Sequence, residues 1–224
     1  MIKLIHGDCL EEMKSIPNEK IDMILCDLPY GVTRNKKDII LPFNKLWEQY
    51  ERIIKPNGVI CLFAQGTFYV DLVNSNRKLF RYDLIWDKEL VSGFLNAKKQ
   101  PLRRHEQIAI FYKKLPTYHP QFSKGAPLHS KGTAYKSKDV TNNNYGEFKT
   151  TDDTRSGETN KYPTSILKFQ KVHPSKSVHP TEKSIELLKY LIKTYTDEGE
   201  LVLDNCMGSR YYPVSPVKRQ IEIS

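Results

Sequence analysis

Residues 21–31 have the sequence IDMILCDLPYG, and this stretch decides the fold. The run up to Cys26 is almost continuously apolar, which is typical of a strand buried on both faces of a parallel sheet. Asp27 follows at once, and Pro29 and Tyr30 then make a stiff turn at the carboxyl end of that strand. Ligands of open α/β sheets bind at this edge, so the sequence predicts a binding site around Asp27.

The residue types in this turn suit one kind of ligand. A carboxylate beside an exposed ring can receive a flat molecule that carries an exocyclic amine. Asp27 would accept one N–H, the backbone carbonyl of Leu28 would accept the second, and the ring of Tyr30 would stack on the face. These residues alone leave a plain alternative open, in which Asp27 ends the strand and Tyr30 is packed for structural reasons.

The chain on both sides of this stretch alternates strand and helix patterns, which predicts an α/β fold with a mostly parallel sheet covered on both faces. Asp8 and Glu11 form a capping-box pair at the start of the first helix. The strands are predicted at residues 2–8, 21–27, 59–64, 82–87, 107–113 and 200–205. The helices are predicted at residues 9–16, 44–55, 67–75 and 181–199.

The pattern is lost between residues 116 and 176, which are mostly turn-forming and charged. From Lys113 to Lys183 there are 13 Lys and Arg but 6 Asp and Glu, so most of the net charge of +9 lies there. Together with its Tyr, Asn and Gly residues, this predicts a surface that binds a polyanion. A solvated lysine-rich loop is the alternative.

Length and composition narrow the class of protein. The chain has 224 residues, enough for one α/β domain with one inserted segment. It has no apolar run long enough for a membrane span and no signal-peptide pattern at its start, so we expect a cytoplasmic protein. Its four cysteines have no paired spacing, which indicates buried thiols and no zinc or other metal site.

Several motifs in order resemble one family. GD at 7–8, DLPYG at 27–31, HPTEK at 179–183 and LVLDNCMGS at 201–209 resemble the β-type amino-DNA methyltransferases. Residues 93–118 also resemble its phage- and prophage-encoded branch. The resemblance implies a Rossmann-like sheet, S-adenosylmethionine as cofactor, and double-stranded DNA methylated at adenine N6 or cytosine N4, often in restriction–modification systems.

The resemblance also assigns roles to individual residues. The catalytic residues Asp27, Leu28, Pro29 and Tyr30 would hold the flipped base, although Leu28 stands where the family has a proline. The leading aspartate favours adenine. Residues implied to bind the cofactor are Asp8, His179, Thr181, Lys183, Asp204, Gly208 and Ser209. Asp8 and Thr181 have an alternative role as ordinary helix caps.

The end of the chain departs from the family. After Gly208-Ser209 the family continues into a helix and a strand that ends in an acid for the ribose, whereas here Pro213 and Pro216 block a helix. We interpret residues 210–224 as an aberrant, out-of-frame tail, with a divergent but functional tail as the alternative. The sheet is therefore expected to be C-terminally truncated, lacking that helix, strand and acid.

This gives a predicted domain organisation and competing functions. Residues 1–115 would form the catalytic part, 116–176 the target-recognition segment, 177–209 the cofactor-binding part and 210–224 the tail. The first hypothesis is an active DNA amino-methyltransferase, with adenine N6 favoured over cytosine N4. The second is a catalytically inactive relic that binds DNA, and a third is an RNA or protein methyltransferase. A homodimer is left open.

Overall fold

The computed structural model describes residues 2–33, 38–127, 157–171 and 183–207, together with the backbone of 219–223. The helices are α1 (Cys9–Glu12), α2 (Phe43–Ile53), α3 (Gly66–Ser75) and α4 (Ile185–Tyr195). The strands are β1 (Ile2–Ile5), β2 (Ile21–Asp27), β3 (Ile54–Ala64), β4 (Phe80–Ser92), β5 (Arg103–Phe111), β6 (Ser123–Lys124), β7 (Asn160–Lys161), β8 (Ile166–Lys168), β9 (Leu201–Asp204) and β10 (Arg219–Ile223).

Among the described residues, eight strands form one sheet in the order β1-β10-β9-β2-β3-β5-β4-β8. Every neighbouring pair is parallel except the two that involve β5, which is antiparallel to both β3 and β4. The carboxyl ends of the parallel strands, and the loop joining β4 to β5, therefore meet at one edge. The predicted α/β class with a mostly parallel sheet is confirmed.

The core lies on both sides of β2, whose first six residues are all buried. Helix α2 covers one face through an apolar stripe that includes Trp47 and Tyr50. Such a stripe at helical spacing is why this segment folds as a helix. The helix ends at Ile53, earlier than predicted, because Ile54 already begins β3 and pairs with Ile21.

The chain divides into two compact units, residues 120–163 on one hand and residues 1–119 with 164–224 on the other. The smaller unit contains the short antiparallel pair β6 and β7. In the larger unit, β8 pairs with β4 at the edge of the main sheet. The last part of the segment predicted for target recognition thus contributes a strand to the main sheet.

The expectation that the sheet lacks a strand beyond β9 is wrong. Residues 219–223 form β10, which is hydrogen-bonded between β1 and β9 and parallel to both. Their sequence, RQIEI, alternates polar and apolar residues as a strand does. An out-of-frame segment has no reason to complete a sheet in register, so β10 counts against that interpretation for its own residues. Residues 208–218 lie outside the described part, and the interpretation stays a prediction there.

Candidate active site

The turn after β2 brings Asp27 and Tyr30 together. The phenol of Tyr30 donates a hydrogen bond to Asp27 Oδ1 at 2.8 Å. The prediction of an exposed ring is wrong, because Tyr30 is only 9% exposed. Helix α3 starts directly after β3 and stacks Phe68 on the ring, with 4.9 Å between the ring centroids. The ring is therefore held in place from one side while its hydroxyl orients the carboxylate.

A second carboxylate fixes the chain where it leaves this turn. Asp38 accepts hydrogen bonds from the backbone N–H groups of Gly31, Val32 and Thr33 at 2.8, 3.0 and 2.7 Å. Gly31 has a φ of +68°, a backbone conformation that favours glycine. Asp38 was not among the residues predicted for the site. Its contacts fix the backbone of the three residues that follow Tyr30.

Behind Asp27 lies a chain of buried charges. Lys183 Nζ is 2.9 Å from Asp27 Oδ1 and 2.8 Å from Glu106 Oε2, and Lys88 Nζ is 3.1 Å from Glu106 Oε1. The side chains of Lys183 and Glu106 are 8% and 11% exposed, whereas Asp27 is 32% exposed. Asp27 is thus the most exposed of these three charged side chains and the one that a ligand can contact.

Burial and pairing act in opposite directions on these groups. Burial raises the pKa of Asp27, and Lys183 opposes that rise without cancelling it. Burial alone would lower the pKa of Lys183, but the two neighbouring carboxylates outweigh it and the pKa is raised. For Glu106, Lys183 and Lys88 overcome burial and lower the pKa. The two carboxylates thus favour the charged form of Lys183, while burial disfavours the charged form of Asp27.

Glu106 and Lys88 were missed by sequence analysis, although Glu106 carries a usable signal. In β5 it precedes Ile108 and Ile110 at a spacing of two, so the strand pattern places it on the same face as these buried residues. A carboxylate on an apolar face requires a buried partner. The sequence could not name Lys183 as that partner, because 77 residues separate the two.

The edge formed by β1, β10 and β9 carries three acidic residues at or just beyond the strand ends. Asp8 follows β1, Asp204 ends β9, and Glu222 of β10 pairs in register with Asp204. Glu222 is an acidic residue in the strand beside β9, and the expectation that the chain lacks an acid for the ribose stays a prediction. Asp8 accepts from the N–H of Leu10 at 2.8 Å, so it caps α1, and its role toward a cofactor stays a prediction.

The turn after β9 is held firmly from two sides. Asp204 Oδ1 accepts from the N–H of Cys206 at 3.0 Å, and Tyr50 of α2 donates to the buried Asn205 Oδ1 at 2.5 Å. Burial raises the pKa of Asp204 to about 6. A partly buried carboxylate with a raised pKa is stabilised by a ligand that brings hydroxyl, N–H or cationic groups.

Several predicted site residues lie outside the described part of the chain, namely His179, Thr181, Gly208 and Ser209. Lys183 is described, and its ammonium lies against Asp27 and Glu106. Among the described residues, no group of three or more His, Cys, Asp or Glu side chains is arranged to hold a metal ion. No helix in the described segments is long and apolar enough to cross a membrane.

Comparison with known families decides the identity. The family model described as DNA methylase, which covers N6 and N4 methyltransferases, matches residues 21–211. The chain belongs to this family of DNA methylases. The family predicted from DLPYG and HPTEK is confirmed, whereas the predicted phage origin stays a prediction.

The methylase is also similar to individual proteins. It is 28% identical to the DNA adenine methyltransferase YhdJ of Escherichia coli K12, over 92% of this chain and 71% of that protein. It is 25% identical to the Type II methyltransferase M.HpaI of Haemophilus parainfluenzae, over 92% and 64%. The chain thus spans about two thirds of the length of these relatives.

Solved structures share the fold of the methylase. The crystal structure of the M1.HpyAVI–SAM complex matches with a TM-score of 0.59 and 20% identity, covering 100% of this chain and 93% of the other. The PvuII DNA methyltransferase, which is cytosine-N4-specific, matches with a TM-score of 0.65 and 14% identity, covering 99% and 81%. The predicted fold class is confirmed by both.

Proposed function

We propose that the methylase transfers a methyl group from S-adenosylmethionine to the exocyclic amine of a flipped base in double-stranded DNA, with adenine N6 as the target. The observation that carries the proposal is the partly exposed carboxylate of Asp27 at the strand edge, beside Tyr30 and backed by a buried cation. The leading aspartate of the motif supports adenine, as does the similarity to a relative named a DNA adenine methyltransferase.

The residues of the turn would act by binding and orientation. The Asp27 carboxylate and the Leu28 carbonyl accept the two N–H groups of the amine, which directs its lone pair toward the methyl donor. Lys183, held by Glu106, opposes the rise in the pKa of Asp27 that burial causes, and so favours the ionised form that accepts most strongly. The hydroxyl of Tyr30 fixes the carboxylate's orientation. Positioning and electrostatics supply the rate, and no covalent nucleophile is needed.

The described residues suit the proposed cofactor. S-adenosylmethionine, when bound, supplies the methyl group. Its hydroxyl and amino groups are donors, and Asp8, Asp204 and Glu222 place carboxylate residues at three adjacent strand ends. Asp204, which is partly buried and has a raised pKa, is the member that gains most from such a donor. His179, Thr181, Gly208 and Ser209 are proposed to complete the site, with Lys183 near the methyl-bearing end.

The remaining parts of the chain have proposed roles that follow from charge. The basic segment 116–176 is proposed to recognise the DNA sequence, and the compact unit at 120–163 supports a separate role for it. The net charge of +9 favours a polyanionic substrate. We expect the methylase to act in the cytoplasm of a bacterial or phage-infected cell, with a homodimer as one assembly to be measured by light scattering.

A second candidate is an inactive relic that still binds DNA. It is favoured by the sequence after Gly208-Ser209, where Arg210 to Pro213 replaces the small residues and helix start expected of the cofactor turn. Such a chain would keep the basic segment and the sheet but would bind the cofactor poorly. An RNA or protein target is a further alternative, and it is distinguished by offering RNA and protein as substrates beside DNA.

Methyl transfer from labelled S-adenosylmethionine tests these candidates directly. Unmethylated plasmid DNA, RNA and a protein extract are offered in parallel, and the modified DNA is digested to nucleosides. Labelled N6-methyladenine supports the proposal, and N4-methylcytosine would correct the target base. No labelled product at high protein concentration, with DNA binding retained, would favour the relic.

The role of Asp27 is tested by Asp27→Ala. We expect no measurable transfer, while DNA affinity stays within about twofold of wild type because phosphate contacts dominate binding. Asp71→Ala, an exposed carboxylate on α3, is the matched control and should change neither quantity. A parallel loss of transfer and DNA binding in Asp27→Ala would mean that Asp27 serves the fold.

A further inference from the structure

The loop between β4 and β5, residues 93–102, presents apolar side chains to solvent. Leu95 is 100% exposed and Phe94 is 66% exposed. These side chains are held outward by an ordered turn, because the N–H groups of Asn96 and Ala97 donate to the carbonyls of Gly93 and Phe94 at 2.9 and 3.1 Å. A large apolar side chain fixed in water is unfavourable unless a partner covers it.

The loop also carries a concentrated positive charge. Residues 93–104 contain four basic residues and no acidic one. Arg104 pairs with Asp87 at 2.7 Å and Arg103 donates to Gln65 at 2.7 Å, so the base of the hairpin is tied down. Within the described residues, the ammonium groups of Lys98 and Lys99 have no hydrogen-bond or ion-pair partner. The apolar tip is therefore flanked by cations available to an anionic partner.

The position of the loop relates it to the active site. Asp27 pairs with Phe63, which pairs with Ile108 of β5. Arg103 lies five residues before Ile108 on the same strand, so the hairpin projects about 17 Å beyond the row of Asp27 at about 3.3 Å per residue. It leaves the sheet at the same edge at which Asp27 is exposed. A duplex approaching Asp27 would meet this projection.

A base cannot reach Asp27 while it is stacked in a duplex. Extrusion costs stacking and pairing energy, and apolar side chains that enter the stack offset that cost. Exposed apolar residues followed by two lysines, at the edge where the base must arrive, match this requirement in chemistry and in place. A second protein copy would explain the apolar tip but not the unpaired lysines beside it.

We propose that the β4–β5 loop enters the DNA beside the target base, where Leu95 and Phe94 cover the bases exposed by extrusion and Lys98 and Lys99 bind the neighbouring phosphates. This inference rests on the proposed function. It assigns the step before chemistry to residues that lie outside the turn at Asp27. Extrusion and methyl transfer thus depend on different side chains, and each can be removed separately.

The test first maps the methylated position in plasmid DNA treated with the wild-type protein. Two synthetic duplexes then carry that site, one with the target base paired and one with it opposite an abasic position, which leaves it already unpaired. The variant Phe94→Ala/Leu95→Ala should lose about tenfold or more in kcat/KM on the paired duplex, and within about threefold on the unpaired one. Leu115→Ala, 79% exposed beyond the far end of β5, is the matched control and should resemble wild type on both.

The cationic part of the proposal has its own measurement. Lys98→Gln/Lys99→Gln should weaken binding to all DNA sequences and reduce the slope of log K against log salt by about 2, because each phosphate contact contributes about 0.9. An unchanged slope would overturn the assignment of these lysines. Three outcomes would overturn the role proposed for Phe94 and Leu95. The Phe94→Ala/Leu95→Ala variant could lose activity equally on both duplexes, lose none on either, or show a fall in oligomer mass.

Failure of the proposed function gives a different result. If the wild-type protein labels no DNA at all, the methyltransferase proposal falls, while the salt dependence still decides whether the loop binds DNA. A relic would then show the lysine effect without any transfer. An active enzyme with unaffected loop variants would instead leave the proposed function standing and remove this inference.

Discussion

Replacement of Lys183 by methionine isolates the effect of its charge on Asp27. The two charged atoms are 2.9 Å apart, so their attraction is about 6 kcal/mol at an effective dielectric constant of about 20. Asp27 is 32% exposed, and water would recover part of that loss. A cation at this distance commonly lowers a carboxyl pKa by about 1–3 units. This range corresponds to a smaller free energy than the full attraction, and we use it here because it already includes the effect of water.

The sign of the expected change follows from the role of the carboxylate. The pKa of Asp27 is already raised by burial, and its ionised form is the stronger acceptor for the amine because protonation turns one of its oxygens into a donor. Without Lys183 the pKa rises further, so the acid limb of the activity profile should move to higher pH by about 1–3 units. Below that limb, activity should fall about tenfold for each unit, and above it activity should approach that of the wild type.

The assay is kcat for methyl transfer to plasmid DNA, measured between pH 5.5 and 9.5 at saturating cofactor. Because breaking a buried pair costs about 3–5 kcal/mol, the fold of each variant is checked by circular dichroism and denaturation. Lys55→Met is the matched control, since Lys55 pairs with Asp22 away from this turn. It should lower stability without moving the limb.

Glu106→Gln gives a result of opposite sign. The negative charge of Glu106 raises the pKa of Asp27, so its removal should move the acid limb to lower pH, by about 1 unit or less. A glutamine oxygen can still accept from Lys183. If both variants move the limb in the same direction, or if Lys183→Met raises only KM for the cofactor, the reasoning is refuted and Lys183 serves cofactor binding instead.

Three further results are expected. Asp204→Asn should stabilise the protein at pH 7 by about 1–3 kcal/mol but not at pH 4, because a carboxyl whose folded pKa is raised to about 6 loses its favourable contribution as pH rises through that value; chemical denaturation measures this. Asp38→Ala should cost about 1–3 kcal/mol and raise KM for DNA, since three N–H groups lose their acceptor. Cys9 should be alkylated by iodoacetamide before Cys26 at pH 7, as mass spectrometry would show, because a hydrogen bond with Cys206 lowers its pKa to about 7 whereas burial raises that of Cys26 to about 11.

Each of these has a contrary outcome. Asp71→Asn is the control for Asp204→Asn, and it should leave the free energy of unfolding unchanged at both pH 4 and pH 7. Equal stabilisation at pH 4 and pH 7 would contradict the assigned pKa. If Asp38→Ala had a normal KM for DNA, the segment after Tyr30 would make no contact with the substrate. Faster alkylation of the buried thiol would show that exposure, and not pKa, had been misjudged.

Local features of the site were predictable because they depend on neighbours in sequence. The apolar run before Asp27 determines a buried strand, and Asp8 with its N–H partners determines a helix start. Contacts between distant residues were not predictable. Lys183 and Asp27 are 156 positions apart, and the sequence alone does not state which strands lie side by side.

Two predictions were wrong, namely that the ring of Tyr30 is exposed and that the sheet lacks a strand beyond β9. The burial of Tyr30 depends on Phe68, which reaches it only because α3 follows β3 without a long loop. The strand at 219–223 is short, and its alternation has little weight beside the prolines before it. In the β4–β5 loop, Phe94 and Leu95 are of residue types common in cores, and only the fold reveals that these two side chains are largely exposed.

The place of β10 in the sheet has a consequence for how the protein is made. In the described sheet, β1 touches no strand other than β10, so β1 is joined to the rest of the sheet by residues that lie far from it in the sequence. A parallel contact between residues 2–5 and 220–223 is as non-local as this chain allows, and such contacts form late. During synthesis, β1 therefore has no neighbouring strand in the described sheet until residues 219–223 have emerged. A truncation that removed these residues would leave β1 without that neighbour and β9 at the edge of the sheet.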